Sequence, residues 1–176
     1  MKEYNGIGLT PLFHSEISSS YMLYDIFNNH KEIVAQLIKD QFNILAENIY
    51  VSRECSYTNK GSIDIFIKFM DSGENCALMI EVKVHDYLSA TDGQIGVYYN
   101  AVIEDGSFRK VYFIYLTQFT EENDFTEITE PKTIIEAKKG KELIKNEFKH
   151  ISWEQVHSFL AQYYDILTEE QRLIVS

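Results

Sequence analysis

Apolar residues recur along this chain with two different periods, and each change of period marks a new element. From Lys31 to Glu47, the residues Val34, Leu37, Ile38, Phe42 and Leu45 fall three or four apart, which places them on one face of an α-helix. Upstream, Leu23, Ile26 and Phe27 with Tyr24 make a shorter helical stripe behind serines that offer an N-cap. The period then drops to two. Ile49, Val51, Arg53, Cys55 and Tyr57 alternate with more polar neighbours, as in an outer strand. The β-rich runs Ile63 to Met70 and Cys76 to Val84 are separated by Asp71-Ser72-Gly73-Glu74-Asn75, a hairpin signal. Between about Ser89 and Ile103 the helical period returns, carried by Ile95, Tyr98, Tyr99 and Val102. The next run, Val111 to Leu116, is apolar nearly throughout, which suits a buried central strand paired in parallel after a helical crossover.

Thr117 to Pro131 is acidic and irregular and reads as a surface loop. Thr133 to Phe148 reads as mixed helix and loop interrupted by Gly140. Ser152 with Gln155 forms a capping-box pattern ahead of Trp153, Val156, Leu160, Tyr163 and Leu167, an amphipathic helix. Thr168 with Gln171 repeats the device for a short final helix. The order is helices, three strands, helix, strand, helices: an α/β fold with a mixed β-sheet flanked by helices.

Length and composition limit what such a fold can be. With 176 residues, 45% of them hydrophobic, and only two prolines, one domain over 1–176 is expected, with a core at about 31–117 and a C-terminal helical extension at about 133–176. The longest apolar runs are strand-sized and the N-terminus lacks a signal-peptide pattern, so a cytoplasmic protein without a membrane span is expected. Cys55 and Cys76 have no CxxC pairing and read as buried free thiols.

The candidate chemistry lies in the hairpin. In its second run Leu78, Ile80, Val82 and Val84 point one way and Glu81 and Lys83 the other; in its first, Ile63, Ile65, Ile67 and Phe69 oppose Asp64, Phe66 and Lys68. With a two-residue Ser72-Gly73 turn, paired residues have numbers summing to 145, and Asp64 faces Glu81. Directly opposed Cβ atoms lie roughly 4.5–5.5 Å apart, so two carboxylates meet with a lysine one pleat away. Like charges so close repel unless a cation intervenes. A divalent metal answers that need, and hard oxygen donors favour Mg²⁺ or Mn²⁺, with the Val82 backbone carbonyl as a further ligand. Such a centre hydrolyses phosphodiester bonds through a metal-activated water, with Lys83 orienting the water or offsetting developing charge. A solvated sheet face with a cross-strand ion pair is the plain alternative.

The pattern Asp64, then Glu81-Val82-Lys83, then Gln94-x-x-x-Tyr98 resembles the PD-(D/E)xK nuclease superfamily, and within it the RecB-like and Cas4-like branch, whose Gln-x-x-x-Tyr helix follows the ExK strand. The resemblance implies a restriction-endonuclease-like core (αβββαβ), the order that periodicity gives independently. It also implies Asp64 and Glu81 as metal ligands, Lys83 as the catalytic lysine, and Gln94 and Tyr98 as residues that contact nucleic acid or support the site. Ile63-Asp64 replaces the Pro-Asp of the superfamily's name. The segment LFHSEISSSYMLYDIF, the SWEQV helix and the overall spacing look similar to an uncharacterised bacterial subgroup with a His-Ser pair near its start, here His14-Ser15, although a Glu ahead of that pair is absent. In that setting Glu16 or Glu32 is a candidate for an additional metal carboxylate.

The formal net charge of -11 argues against a simple cationic nucleic-acid binder. Bound metal would neutralise part of it, and Lys132, Lys138, Lys139, Lys141, Lys145 and Lys149 cluster locally. DNA, or RNA, is the partner that the resemblance implies, and a second copy of the chain or a component of a defence system or mobile element is the expected companion of so acidic a nuclease. An inactive nuclease-like module that engages a protein partner is the competing class. His85 follows the triplet closely and reads as a satisfied or exposed histidine, His150 and His157 read as surface and helix positions, and no nucleophile triad is present. Of the adjacent tyrosines, Tyr98 is the candidate for base stacking, with Tyr99 facing the core.

Overall fold

The computed structural model describes residues 16–58, 61–83, 94–118 and 147–175. Helices α1 (Glu16–Asn29) and α2 (Lys31–Phe42) precede strands β1 (Glu47–Thr58), β2 (Gly61–Asp71) and β3 (Glu74–Val82). Helix α3 (Gln94–Glu104) leads to β4 (Lys110–Thr117), and β5 (Phe148–Ser152), α4 (Trp153–Ala161) and α5 (Glu169–Arg172) follow. The strands form one sheet in the order β1-β2-β3-β4-β5. The first three make an antiparallel meander, while β4 runs parallel to β3 and β5 parallel to β4. The periodicity argument anticipates the helix, meander, helix and parallel strand.

Each face of the sheet is covered. On one side Ile65, Ile67, Phe69, Leu78, Ile80, Val82, Ile114 and Leu116 pack with residues of α1, α2 and α4. On the other, Phe66, Ala77, Met79, Val111, Phe113 and Tyr115 pack with Tyr98, Tyr99 and Val102 of α3. Because both faces of β3 and β4 are covered, both strands read as continuous apolar runs.

Four departures from the periodic reading have local causes. Helix α2 stops at Phe42 because Asn43 adopts the left-handed conformation (φ 58°) and donates its N–H to Lys39 O at 2.9 Å. Leu45, expected on the helix face, is consequently 73% exposed. Strand β5 has no counterpart in the periodic reading, which takes Thr133 to Phe148 as mixed helix and loop and goes on to the Ser152 helix. It is only five residues long and half polar, and its parallel pairing leaves no turn signal. The Ser152 helix ends at Ala161, and a 3₁₀ turn over Tyr164–Ile166 carries the chain on to buried Leu167. The fourth departure, in β1 and β2, is part of the candidate site.

Both capping boxes form: Ser152 Oγ accepts from Gln155 N at 3.2 Å and Thr168 Oγ1 from Gln171 N at 3.2 Å. Gln171 also donates to Asp25 Oδ2 at 2.8 Å, tying α5 back to α1. Cys76 is buried and Cys55 partly so, both free, and burial pushes both thiols above their ordinary pKa. No helix among the described residues is long and apolar enough to cross a membrane. The His14-Ser15 pair, His85, most of the 117–131 loop, most of the 133–148 segment and the clustered lysines other than Lys149 lie outside the described residues.

Candidate active site

Ser72 (φ 52°) and Gly73 (φ 83°) both take positive φ, as a two-residue primed turn requires. Asp71 therefore pairs with Glu74, and the same register runs through to Ile65 opposite Ile80. The arithmetic that sets Asp64 beside Glu81 holds to that point. At the next position the hairpin parts. Val82 N–H donates to the Asp64 carboxylate (Oδ2) at 2.8 Å, so the side chain takes the place of a main-chain rung.

The parting coincides with a bend shared by β1 and β2. Glu54 takes a left-handed φ of 52°, while the β1–β2 register runs unshifted from Arg53–Ile65 to Cys55–Ile63. Cys55 and its partner Ile63 pack on the α3 side of the sheet, whereas Ile65, two residues further on, packs on the α1 and α2 side. The strict alternation that grouped Ile63 with Ile65 fails at Asp64, because the bent strand turns Ile63 to the other face. Arg53, next to the bend, lies over the Tyr21 ring of α1 at 5.2 Å from its centroid.

Glu81 and Lys83 keep their expected places. Lys83 Nζ lies 3.2 Å from Glu81 Oε1, and the two side chains are 12% and 5% exposed, respectively. The solvated face of the plain alternative is therefore not what forms: the ion pair is buried at the end of β3. The Lys83 backbone is held from two directions, its N–H donating to Leu116 O at 2.8 Å and its carbonyl accepting from Trp153 Nε1 at 3.3 Å. Trp153 is the first residue of α4, so the capping box at Ser152 also positions the indole behind Lys83.

Helix α3 begins at Gln94, and Tyr98, four residues on, is 2% exposed within the α3-side core. Its hydroxyl lies against Gly61, where a Cβ would come within 2.5 Å of the phenolic oxygen. Tyr99 is equally buried, with its hydroxyl 3.5 Å from Glu147 Oε2. Burial, and then the Glu147 charge, push the Tyr99 phenol above its ordinary pKa. Neither ring is presented to solvent. Glu16 opens α1, while Glu32 is exposed near the start of α2 with its carboxylate 3.5 Å from His30 Nδ1. Among the described residues no group of three or more His, Cys, Asp or Glu side chains gathers. The oxygen donors at this end of the hairpin are those of Asp64, bonded to Val82 N–H, and of Glu81, paired with Lys83, with the Val82 carbonyl in the chain between Glu81 and Lys83. Two carboxylates and a carbonyl fit Mg²⁺ or Mn²⁺, which takes few protein ligands and completes its shell with water and phosphate.

Three residues missed by sequence reasoning continue the site across the sheet. Glu81 is in register with Tyr115 and Tyr115 with His150. The His150 and Tyr115 rings sit 5.8 Å apart, and His150 Nε2 lies 2.6 Å from Thr117 Oγ1. Burial lowers the His150 pKa to about 4, so the imidazole is neutral at physiological pH and is no surface residue. No signal in the chain could have placed it there without β5.

Neither the curated proteins nor the solved structures yield a match to this chain. A family model described as the PD-(D/E)XK nuclease superfamily matches residues 13–174. That span takes in every described strand, the hairpin acids and the lysine, and so the chain belongs to the PD-(D/E)XK nuclease superfamily, with the restriction-endonuclease-like α/β fold that its mixed sheet displays.

Proposed function

We propose that this protein is a nuclease that hydrolyses phosphodiester bonds of DNA with Mg²⁺ or Mn²⁺. The observation that carries the reading is the buried Glu81–Lys83 pair at 3.2 Å beside an Asp64 carboxylate anchored on Val82 N–H, in a chain of this superfamily. Asp64, Glu81 and the Val82 carbonyl are the ligands we assign, with Glu16 or Glu32 as the candidate additional carboxylate. The metal would supply Lewis-acid stabilisation of the phosphate and a more acidic bound water. The chain's own groups do the rest. Glu81 and Asp64 come from adjacent strands, and the Asp64 carboxylate is tied to β3 by the Val82 N–H, so a backbone hydrogen bond rather than a loop sets where it stands. Lys83 carries a positive charge at the same place and offsets negative charge that develops on a phosphoryl oxygen as the bond to the leaving oxygen breaks. Its backbone, pinned by Leu116 and Trp153, limits how far the ammonium can stray.

DNA as substrate, the RecB-like or Cas4-like branch, a nucleic-acid contact by Gln94, a single domain over the whole chain and a cytoplasmic location belong to the same reading, while Tyr98, buried in the α3-side core, supports the site instead of stacking on a base. They rest on the Gln-x-x-x-Tyr spacing and the sequence pattern. The test compares wild type with Asp64→Ala and Lys83→Ala on linear, circular and single-stranded DNA, and on RNA, with Mg²⁺ or Mn²⁺. Loss of cleavage in both variants is the expected result. Equal residual activity in all three proteins would sink the assignment.

One observation favours a second reading, a nuclease-like module that engages a protein partner. Both carboxylates already have protein partners, Glu81 in Lys83 and Asp64 in Val82 N–H, and the net charge is -11. Calorimetric titration with Mn²⁺ separates the two. Binding abolished by Glu81→Ala supports the nuclease, and absence of binding, or binding that Glu81→Ala leaves unchanged, supports the module.

A further inference from the structure

The Asp64 carboxylate reaches Val82 N–H only because the N-terminal end of β2 stands off from β3. In a regular hairpin of this register, Ile63 would be the next hydrogen-bonded partner of Val82. Instead the ladder ends at Ile65 and Ile80, and Asp64 Oδ2 bonds Val82 N–H at 2.8 Å. The first residues of β2 keep their pairing with β1, through Gly61 with Thr58 and Ile63 with Cys55. On the α3 side, Tyr98 stands against them. Its ring is buried with Ile63 and Phe66, and its hydroxyl occupies the space that a side chain at Gly61 would need. Gly61 has φ 143°, so backbone and space both call for glycine.

We propose that Tyr98, seated on Gly61, is a positioning residue that holds the start of β2 off β3 and thereby commits the Asp64 carboxylate to Val82 N–H. Tyr98 touches no reacting atom in this role; it acts through the strand end. The consequence for metal binding rests on the nuclease reading, whereas the effect on the Asp64–Val82 bond does not. Residue 98 sets where the carboxylate sits, and Gly61 is its receptor: any Cβ there collides with the phenolic oxygen.

The test reads amide hydrogen exchange at Val82, with Leu78 as the internal reference in the intact ladder, in Gly61→Ala, Tyr98→Leu, Tyr98→Phe and the Gly61→Ala/Tyr98→Phe double variant. Leucine fills much of the apolar volume but cannot reach Gly61. Val82 protection relative to Leu78 is expected to fall at least tenfold in Gly61→Ala and in Tyr98→Leu, and to recover at least threefold in the double variant, where the hydroxyl that collides is gone. Unchanged Val82 protection in Tyr98→Leu, or no recovery in the double variant, overturns the proposal. If Gly61→Ala does not fold, Tyr98→Leu alone decides it. A parallel Mn²⁺ titration should show at least tenfold weaker binding in Tyr98→Leu. Wild-type protein that binds no Mn²⁺ would overturn the nuclease reading while the exchange result still judges the clamp.

Discussion

Replacing Lys83 with methionine removes an ammonium from a site where its partner cannot easily recover water. Glu81 is 5% exposed and its Oε1 lies 3.2 Å from Lys83 Nζ. At that distance, with an effective dielectric of about 20, the attraction is about 5 kcal/mol. Much of it is cancelled in the folded protein by the cost of dehydrating both ions, so the pair contributes little net stability compared with an apolar pair of the same volume. Breaking one half is a different matter, since the dehydrated carboxylate remains: Lys83→Met should cost about 3–5 kcal/mol. For a chain of this size that is a melting-temperature drop of about 10 °C. The Glu81→Leu/Lys83→Met double variant should regain most of the loss, because neither charge is then stranded. Thermal melts and urea titrations at pH 7 measure both. A Lys83→Met protein that melts within about 2 °C of wild type, or a double variant no more stable than the single, would refute the claim that burial makes this pair interdependent.

Asp64→Asn keeps an oxygen that can accept from Val82 N–H, so its stability should stay within about 0.5 kcal/mol of wild type while Mn²⁺ affinity falls more than tenfold; Asp64→Ala should lose about 1–3 kcal/mol as well. Calorimetry alongside urea unfolding separates the two effects, and equal Mn²⁺ affinity in wild type and Asp64→Asn would remove Asp64 from the ligand set. His150 has its pKa lowered by burial from 6.5 to about 4, so between those values the unfolded chain takes up a proton that the folded chain does not. Stability should therefore fall as pH drops from 6.5 to 4, by about 1–2 kcal/mol once solvent screening of a partly exposed group is allowed for. Urea titrations across that window should show this contribution gone in His150→Gln, and an unaltered slope would contradict it. Ser152→Ala removes the acceptor for Gln155 N–H and should cost about 1 kcal/mol, read as a melting-temperature drop of about 2–4 °C.

Much of the architecture was legible because it depends on short-range patterns. Period-two runs bounded by a Ser-Gly turn specify a hairpin, and the turn's length specifies its register, which holds from Asp71–Glu74 to Ile65–Ile80. The capping boxes at Ser152 and Thr168 are likewise local, complete within four residues. β5 was not legible, since five half-polar residues in parallel pairing take their identity from β4 rather than from their own neighbours. His150, Thr117 and Tyr115 were hidden with it.

What the sequence determined by itself is the inventory and its order: an acid, an acid and a lysine on one hairpin, followed by a helix with Gln94 and Tyr98 four residues apart. The tertiary structure decided where those groups stand. A left-handed residue at Glu54 and the Tyr98 hydroxyl seated on Gly61 accompany the point where the hairpin parts, and the Asp64 carboxylate bonds Val82 N–H there instead of completing a flat rung. Helices on both faces, with Trp153 and Leu116 at the end of β3, turn a solvent-style ion pair into a buried one. Burial and strand parting depend on residues far apart in the chain meeting in space, and no local period encodes such meetings.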